Sequence, residues 1–238
     1  MKIWDIYSPA EPLLASLTGH THQIQAIDLL QIDSSAGKSC YVVSGSWDKT
    51  IRVWDITNLV CKKTNSNKPK IHNNRCVHVL RDGHKNRVKC IRSLTRDQNS
   101  NSNNSQSARC QIQSLFISAG DDSLIIVWDA ILGSLIYVFN GANQYGVSCL
   151  SNISCNELLP STSSTDSADS DSEKSQKYLI SFASSSSSRS AIRVWSAHLQ
   201  VPCGSSSTAS YLTKTINGEF DFDDSDDDFD ELFEKKVR

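Results

Sequence analysis

Ser44, His20 and Asp48 are the residue types of a nucleophilic triad, and Ser118, His84 and Asp122 repeat them. In such a triad histidine takes the serine proton while the carboxylate orients the imidazole, which is the chemistry of acyl transfer. In both sets the aspartate lies four residues after the serine, and a tryptophan, Trp54 or Trp128, lies ten after it. The duplication argues against catalysis. A catalytic centre is normally needed once, whereas a polar set that recurs with its surroundings belongs to a structural repeat.

The elements that must position these residues read as strands. Trp4, Trp54, Trp128 and Trp195 each close an apolar, β-type run: "KIW", "TIRVW", "LIIVW" and "AIRVW". Runs bounded by turn residues then divide the chain into units of four strands, a to d. The first full unit has strands at 24–32, 40–46, 50–56 and 76–82. The second has them at 88–94, 113–120, 124–130 and 134–140, and the third at 146–153, 177–183, 191–197 and 210–216. Ahead of them, "KIWDI" and "LLASLTG" supply only c and d. The third unit departs from the pattern. It has Ser185 ten residues before Trp195, but Arg189 at the aspartate position and Ala142 at the histidine position. It is expected to be held more weakly.

This pattern resembles the WD40 repeat family. The carriers are "LTGH" and "RDGH", the serine and aspartate of each b–c hairpin, and the "VWD" endings. Tryptophans 50, 74 and 67 residues apart depart from the usual spacing, because WD40 repeats recur about every 40–45 residues. The resemblance implies an all-β fold of β-propeller blades: a half blade at 1–19, then blades at 20–82, 83–140 and 141–217, with an acidic disordered tail at 218–238. Three and a half blades are fewer than the 4–8 that typically close a propeller. A longer parent chain, a partner chain, or an open array of blades would each account for that. The resemblance also implies that His20, Ser44, Asp48 and Trp54, and likewise His84, Ser118, Asp122 and Trp128, form structural hydrogen-bonded tetrads.

With antiparallel strands, the a–b and c–d loops share one end of each blade. The inserts Thr57–Arg75, Thr95–Arg109, Leu158–Gln176 and Leu199–Ala209 all fall there. Their Asn/Ser-rich or Ser/Asp-rich composition reads as disordered. The opposite end keeps short d–a and b–c loops, whose rigid turns suit recognition. Candidate partner-binding residues on it are Trp47, His22, Gln23, Asn86, Arg87, Tyr145 and Arg189. Trp47 is the sharpest of them, since an aromatic residue in a tight turn either packs on a neighbouring blade or binds something.

The net charge of −2 conceals an asymmetry. Residues 219–238 hold ten acidic and three basic residues, whereas residues 38–109 hold fifteen basic and four acidic ones. Eight cysteines without C-x-x-C pairs read as reduced thiols of an intracellular protein, in cytoplasm or nucleus, and not as a zinc or disulfide framework. The sequence offers no apolar run of membrane-spanning length, phosphate loop, metal cluster or cofactor motif. The expected function is a non-catalytic scaffold that binds proteins or peptides in a multiprotein complex through the short-loop face. The alternative is association with RNA or another nucleic acid through the basic 38–109 region, modulated by the acidic tail.

Overall fold

The computed structural model describes residues 1–7, 12–34, 37–60, 75–95, 113–139, 146–151, 153–158, 175–186, 192–202 and 212–220. A two-stranded hairpin pairs β1 (Lys2–Trp4) with β2 (Leu13–Ser16). Next comes an antiparallel four-stranded sheet of β3 (Ile24–Ser34), β4 (Gly37–Ser46), β5 (Ile51–Asp55) and, after the short helix α1 (Thr57–Val60), β6 (Cys76–Leu80). The second unit pairs β7 (Val88–Thr95), β8 (Leu115–Gly120), β9 (Ile125–Asp129) and β10 (Ser134–Phe139) in the same up-and-down order. The third contains β11 (Cys149–Leu150), β12 (Ile153–Leu158), β13 (Ser175–Ser185), β14 (Ile192–Pro202) and β15 (Leu212–Phe220). Among the described residues the sheets do not close into a ring.

Period-2 alternation explains how the sheets stack. Along β8 and β9 every residue is buried, because successive side chains point to opposite, equally covered faces. Phe116, Ile126 and Trp128 join Val43, Val53, Ile51, Val88 and Ile91 in the core between the first and second sheets. Their alternates Leu115, Ile117, Ile125 and Val127 join Phe182, Trp195, Leu150 and Ile180 in the core between the second and third. A third cluster seats Ala15 and Leu17 of the hairpin region on Cys40, Val42, Trp54 and Ile56. The hairpin has two strands where the sheet beneath has four. Ile27 and Leu29, which share the Ser44 and Val42 face through the β3–β4 register, accordingly stay about half exposed.

Close contact between sheets also dictates glycine. A Cβ at Gly45 would press on Val88 and Ile91, and one at Gly83 would press on the Trp128 ring.

Several strand limits differ from the sequence expectation. The first four residues of the 57–75 insert form α1, and Thr95 ends β7. The 113–120 strand starts only at Leu115. The single strand expected at 146–153 is split into β11 and β12, and β12 also pairs in parallel with β7 through Ile153↔Leu94, which joins the second and third units. Strands β13 and β14 pair from Ser175↔Pro202 to Ser185↔Ile192. They therefore take in Leu158–Gln176 residues 175 and 176, with Leu158 in β12, and residues 199–202 of the last insert. β15 runs to Phe220, inside the stretch assigned to the tail. Strand β13 is flanked by β12 as well as β14, and β14 by β15, so backbone groups on both edges of these strands find partners whatever the side chains, and polar composition alone does not end a strand. Apart from Arg75, whose carbonyl accepts from the Asp55 amide, the remaining residues of the inserts and of the tail lie outside the described residues.

Candidate functional site

Two polar constellations sit at the end of the sheets that carries the b–c turns. In the first, His20 Nδ1 is 2.8 Å from Asp48 Oδ2, and His20 Nε2 is 2.9 Å from Ser44 Oγ. Trp54 Nε1 donates to the same serine oxygen at 2.8 Å. In the second, His84 Nδ1 is 2.9 Å from Asp122 Oδ2, His84 Nε2 is 2.7 Å from Ser118 Oγ, and Trp128 Nε1 donates to Ser118 Oγ at 2.7 Å. Donor inventory fixes the proton order. Indole N–H only donates, so serine oxygen accepts it, serine O–H donates to Nε2, and Nδ1–H donates to the carboxylate. One neutral tautomer satisfies every member.

The carboxylates are tied down further. Asp48 accepts from the Thr21 and Thr50 amides and the Thr50 hydroxyl. Asp122 accepts from the Lys85 and Leu124 amides. Burial by itself raises both carboxyl groups. For Asp48 the hydrogen bonds from Thr50, Thr21 and His20 outweigh it and hold the group far below the usual carboxylate range. For Asp122 the hydrogen bond from His84, with those from the Lys85 and Leu124 amides, also wins and lowers the group. The residue after each aspartate, Lys49 and Ser123, has a positive φ of 69° and 63°, so both turns take the same shape.

Ser44 and Ser118 are 0% exposed. A serine nucleophile must meet its substrate, and here each hydroxyl is sealed beneath an indole. The Cys90 thiol is no better placed: burial, with Cys149 nearby, pushes it up to about 12, so the reactive thiolate is absent at neutral pH. Among the described residues no group of three His, Cys, Asp or Glu is placed to hold a metal ion, and no helix is long and apolar enough to cross a membrane.

The third unit has its own tryptophan–serine bond, but to a different residue than the spacing suggested. Trp195 Nε1 donates to Ser184 Oγ at 2.8 Å, not to Ser185. Ser185 instead pairs with Ile192 and Cys149 along the backbone. Positions 142 and 189 lie outside the described residues.

The same end brings three of the candidate recognition residues together. Trp47 stacks on His22, with ring centroids 5.5 Å apart and planes 25° apart. The Arg87 guanidinium lies 4.1 Å from the Trp47 ring centroid. The Trp47 indole N–H donates to Gln25 Oε1, a partner that sequence spacing missed although Gln25 sits on the same strand start as Gln23. Gln23 contributes its backbone, its carbonyl accepting from the Trp47 amide at 2.9 Å. Asn86 Oδ1 accepts from the Arg87 amide at 2.9 Å. The stack thus joins the first unit to the loop entering the second. Tyr145 and Arg189 lie outside the described residues.

Residues 11–55 and 74–129 match the family model "WD domain, G-beta repeat". Each match runs from strand d of one unit through strand c of the next and ends on the Trp-Asp pair. Similar solved structures include the WD40 beta propeller domain of Doa1, at 18% identity and TM-score 0.43, covering 82% of this chain and 42% of that one. A chain of the mitotic checkpoint complex is similar at 15% identity and TM-score 0.40, covering 87% and 44%. The RRP9 WD40 repeats are similar at 15% and 0.41, covering 78% and 46%. The chain spans less than half the length of each.

Proposed function

Because this is a WD40-repeat protein, we propose that it is a non-catalytic scaffold that binds protein or peptide partners through the end bearing the b–c turns and d–a loops. The two Ser-His-Asp-Trp sets serve that role as tetrads that clamp each hairpin to the loop before it, which makes the end rigid. The candidate binding residues are Trp47, His22, Gln23, Asn86 and Arg87, with Tyr145 and Arg189 proposed beside them.

The Trp47 stack carries the reading. An aromatic residue fixed by an imidazole, a guanidinium and a glutamine on a surface turn is already ordered, so binding against it costs little side-chain entropy. Such pre-ordered tryptophans and arginines supply most of the affinity of protein interfaces.

The test is a random-peptide phage library panned on the immobilised chain. Selected peptides are expected to bind the Trp47→Ala variant at least about 30-fold more weakly, the loss of a 2 kcal/mol hot spot. Selected peptides that bind Trp47→Ala and wild type alike contradict the reading.

A further inference from the structure

Arg87 is held through its backbone and over Trp47, while among the described residues no acceptor takes its side-chain N–H groups. Its amide donates to Asn86 Oδ1, and its carbonyl accepts from the Asp121 amide at 3.0 Å. A Cβ at Gly120 would overlap that same carbonyl oxygen, so the end of β8 lies in close contact with the loop that enters β7. The side chain lies over Trp47. A guanidinium held over a ring by its charge still has five N–H groups to give to an acceptor.

No described acidic group answers that edge. Asp48 is taken by His20, Thr21 and Thr50, and Asp122 by His84, Lys85 and Leu124. Asp121 is paired with Lys89. Around Arg87, the turn and the loop expose Lys49, Arg81 and Lys85 against the single acid Asp82. With the ionised Asp48, Asp121 and Asp122 counted, the cations Lys49, Arg81, Lys85, Arg87 and Lys89 still outnumber the carboxylates of this end, and a guanidinium is the cation that takes a carboxylate in two parallel bonds. The Trp47 ring already holds a guanidinium and an imidazole, so it is poorly placed to stack nucleotide bases, which single-stranded nucleic-acid sites depend on.

We infer that the partner segment at this end is an acidic peptide, with one Asp or Glu carboxylate bound bidentately by Arg87 beside Trp47 and further carboxylates facing Lys49, Arg81 and Lys85. This rests on the peptide-binding reading above and adds the chemistry of the ligand.

The experiment is fluorescence anisotropy on the full chain with four labelled probes: Glu/Asp-rich, Gln/Asn-rich and Lys-rich dodecapeptides, and a uridine 12-mer. The acidic peptide is expected to bind best, at least tenfold more weakly to Arg87→Ala and to Arg87→Lys. The lysine keeps the charge but loses the fork. Lys85→Gln, an exposed change that leaves the Arg87 fork in place, is expected to cost two- to threefold, and affinity is expected to fall several-fold between 50 and 200 mM NaCl. The inference is overturned if the acidic peptide binds no better than the neutral one, if Arg87→Ala binds it as wild type does, or if the uridine 12-mer binds more tightly and depends on Arg87. Trp47-dependent binding of the neutral or basic peptide alone would sink the acidic assignment and leave the peptide-binding reading intact. If no peptide binds and library peptides ignore Trp47, both fall.

Discussion

Replacing Trp128 by alanine lowers the unfolding free energy by about 3–5 kcal/mol, whereas Trp4→Ala changes it by less than about 0.5 kcal/mol. The two residues stand in the same Ile/Val-Trp-Asp context, so the sequence motif alone predicts equal costs. Packing separates them. Trp128 is 3% exposed, stacks on Phe116 with planes 14° apart, and lies against Gly83. Removing it opens a cavity between two sheets and takes the indole donor from the buried Ser118 hydroxyl. Trp4 is 53% exposed. A domain whose whole stability is about 5–15 kcal/mol loses a large share of it in the first case and almost none in the second. Urea unfolding followed by circular dichroism measures both. Similar midpoints for the two variants would mean that Trp128 does not hold the sheets together.

His84→Ala is expected to cost about 3 kcal/mol, since it leaves a carboxylate and a hydroxyl buried without their shared partner. The same network predicts an acid dependence. Asp122 has its folded pKa below the unfolded value, so its ionised form stabilises the fold at neutral pH. That contribution is fully present above the unfolded carboxylate pKa of about 4 and is lost as pH falls through the lower, folded value. Asp48 adds to the loss in the same direction. Wild type should therefore lose stability steadily as pH falls below about 4, and Asp122→Asn, already weaker at pH 7, should fall less steeply. Urea midpoints at pH 7, 5, 4 and 3 decide the matter, and parallel curves for the two proteins would remove Asp122 from the account.

The strands around the tryptophans were legible in the sequence because two signals agree there. Alternating β-branched residues mark strands, and Gly-His, Ser and Asp mark the turns between them. What failed was set by distant partners. "FASSSSSRS" offers a run of equivalent serines, and only the β13–β14 register selects Ser184 for Trp195. The break between β11 and β12 follows from a parallel pairing with β7, about 60 residues earlier in the chain, which local periodicity does not encode. Trp47 was conspicuous as an aromatic residue in a turn, but its contact with Arg87 spans forty positions and its bond to Gln25 has no spacing rule. The long pairing of β13 with β14 was hidden by polar composition, since backbone hydrogen bonds carry it.

We propose that each serine–histidine–aspartate set clamps a sheet rather than acting on a substrate. A double-mutant cycle on Ser118→Ala and His84→Ala, read as unfolding free energy, tests it most directly. The account predicts that each single change destabilises the protein and that the two couple by about 1–3 kcal/mol, because either one breaks the same chain from indole to carboxylate. Singles as stable as wild type, with a double mutant that is also unchanged, would contradict it.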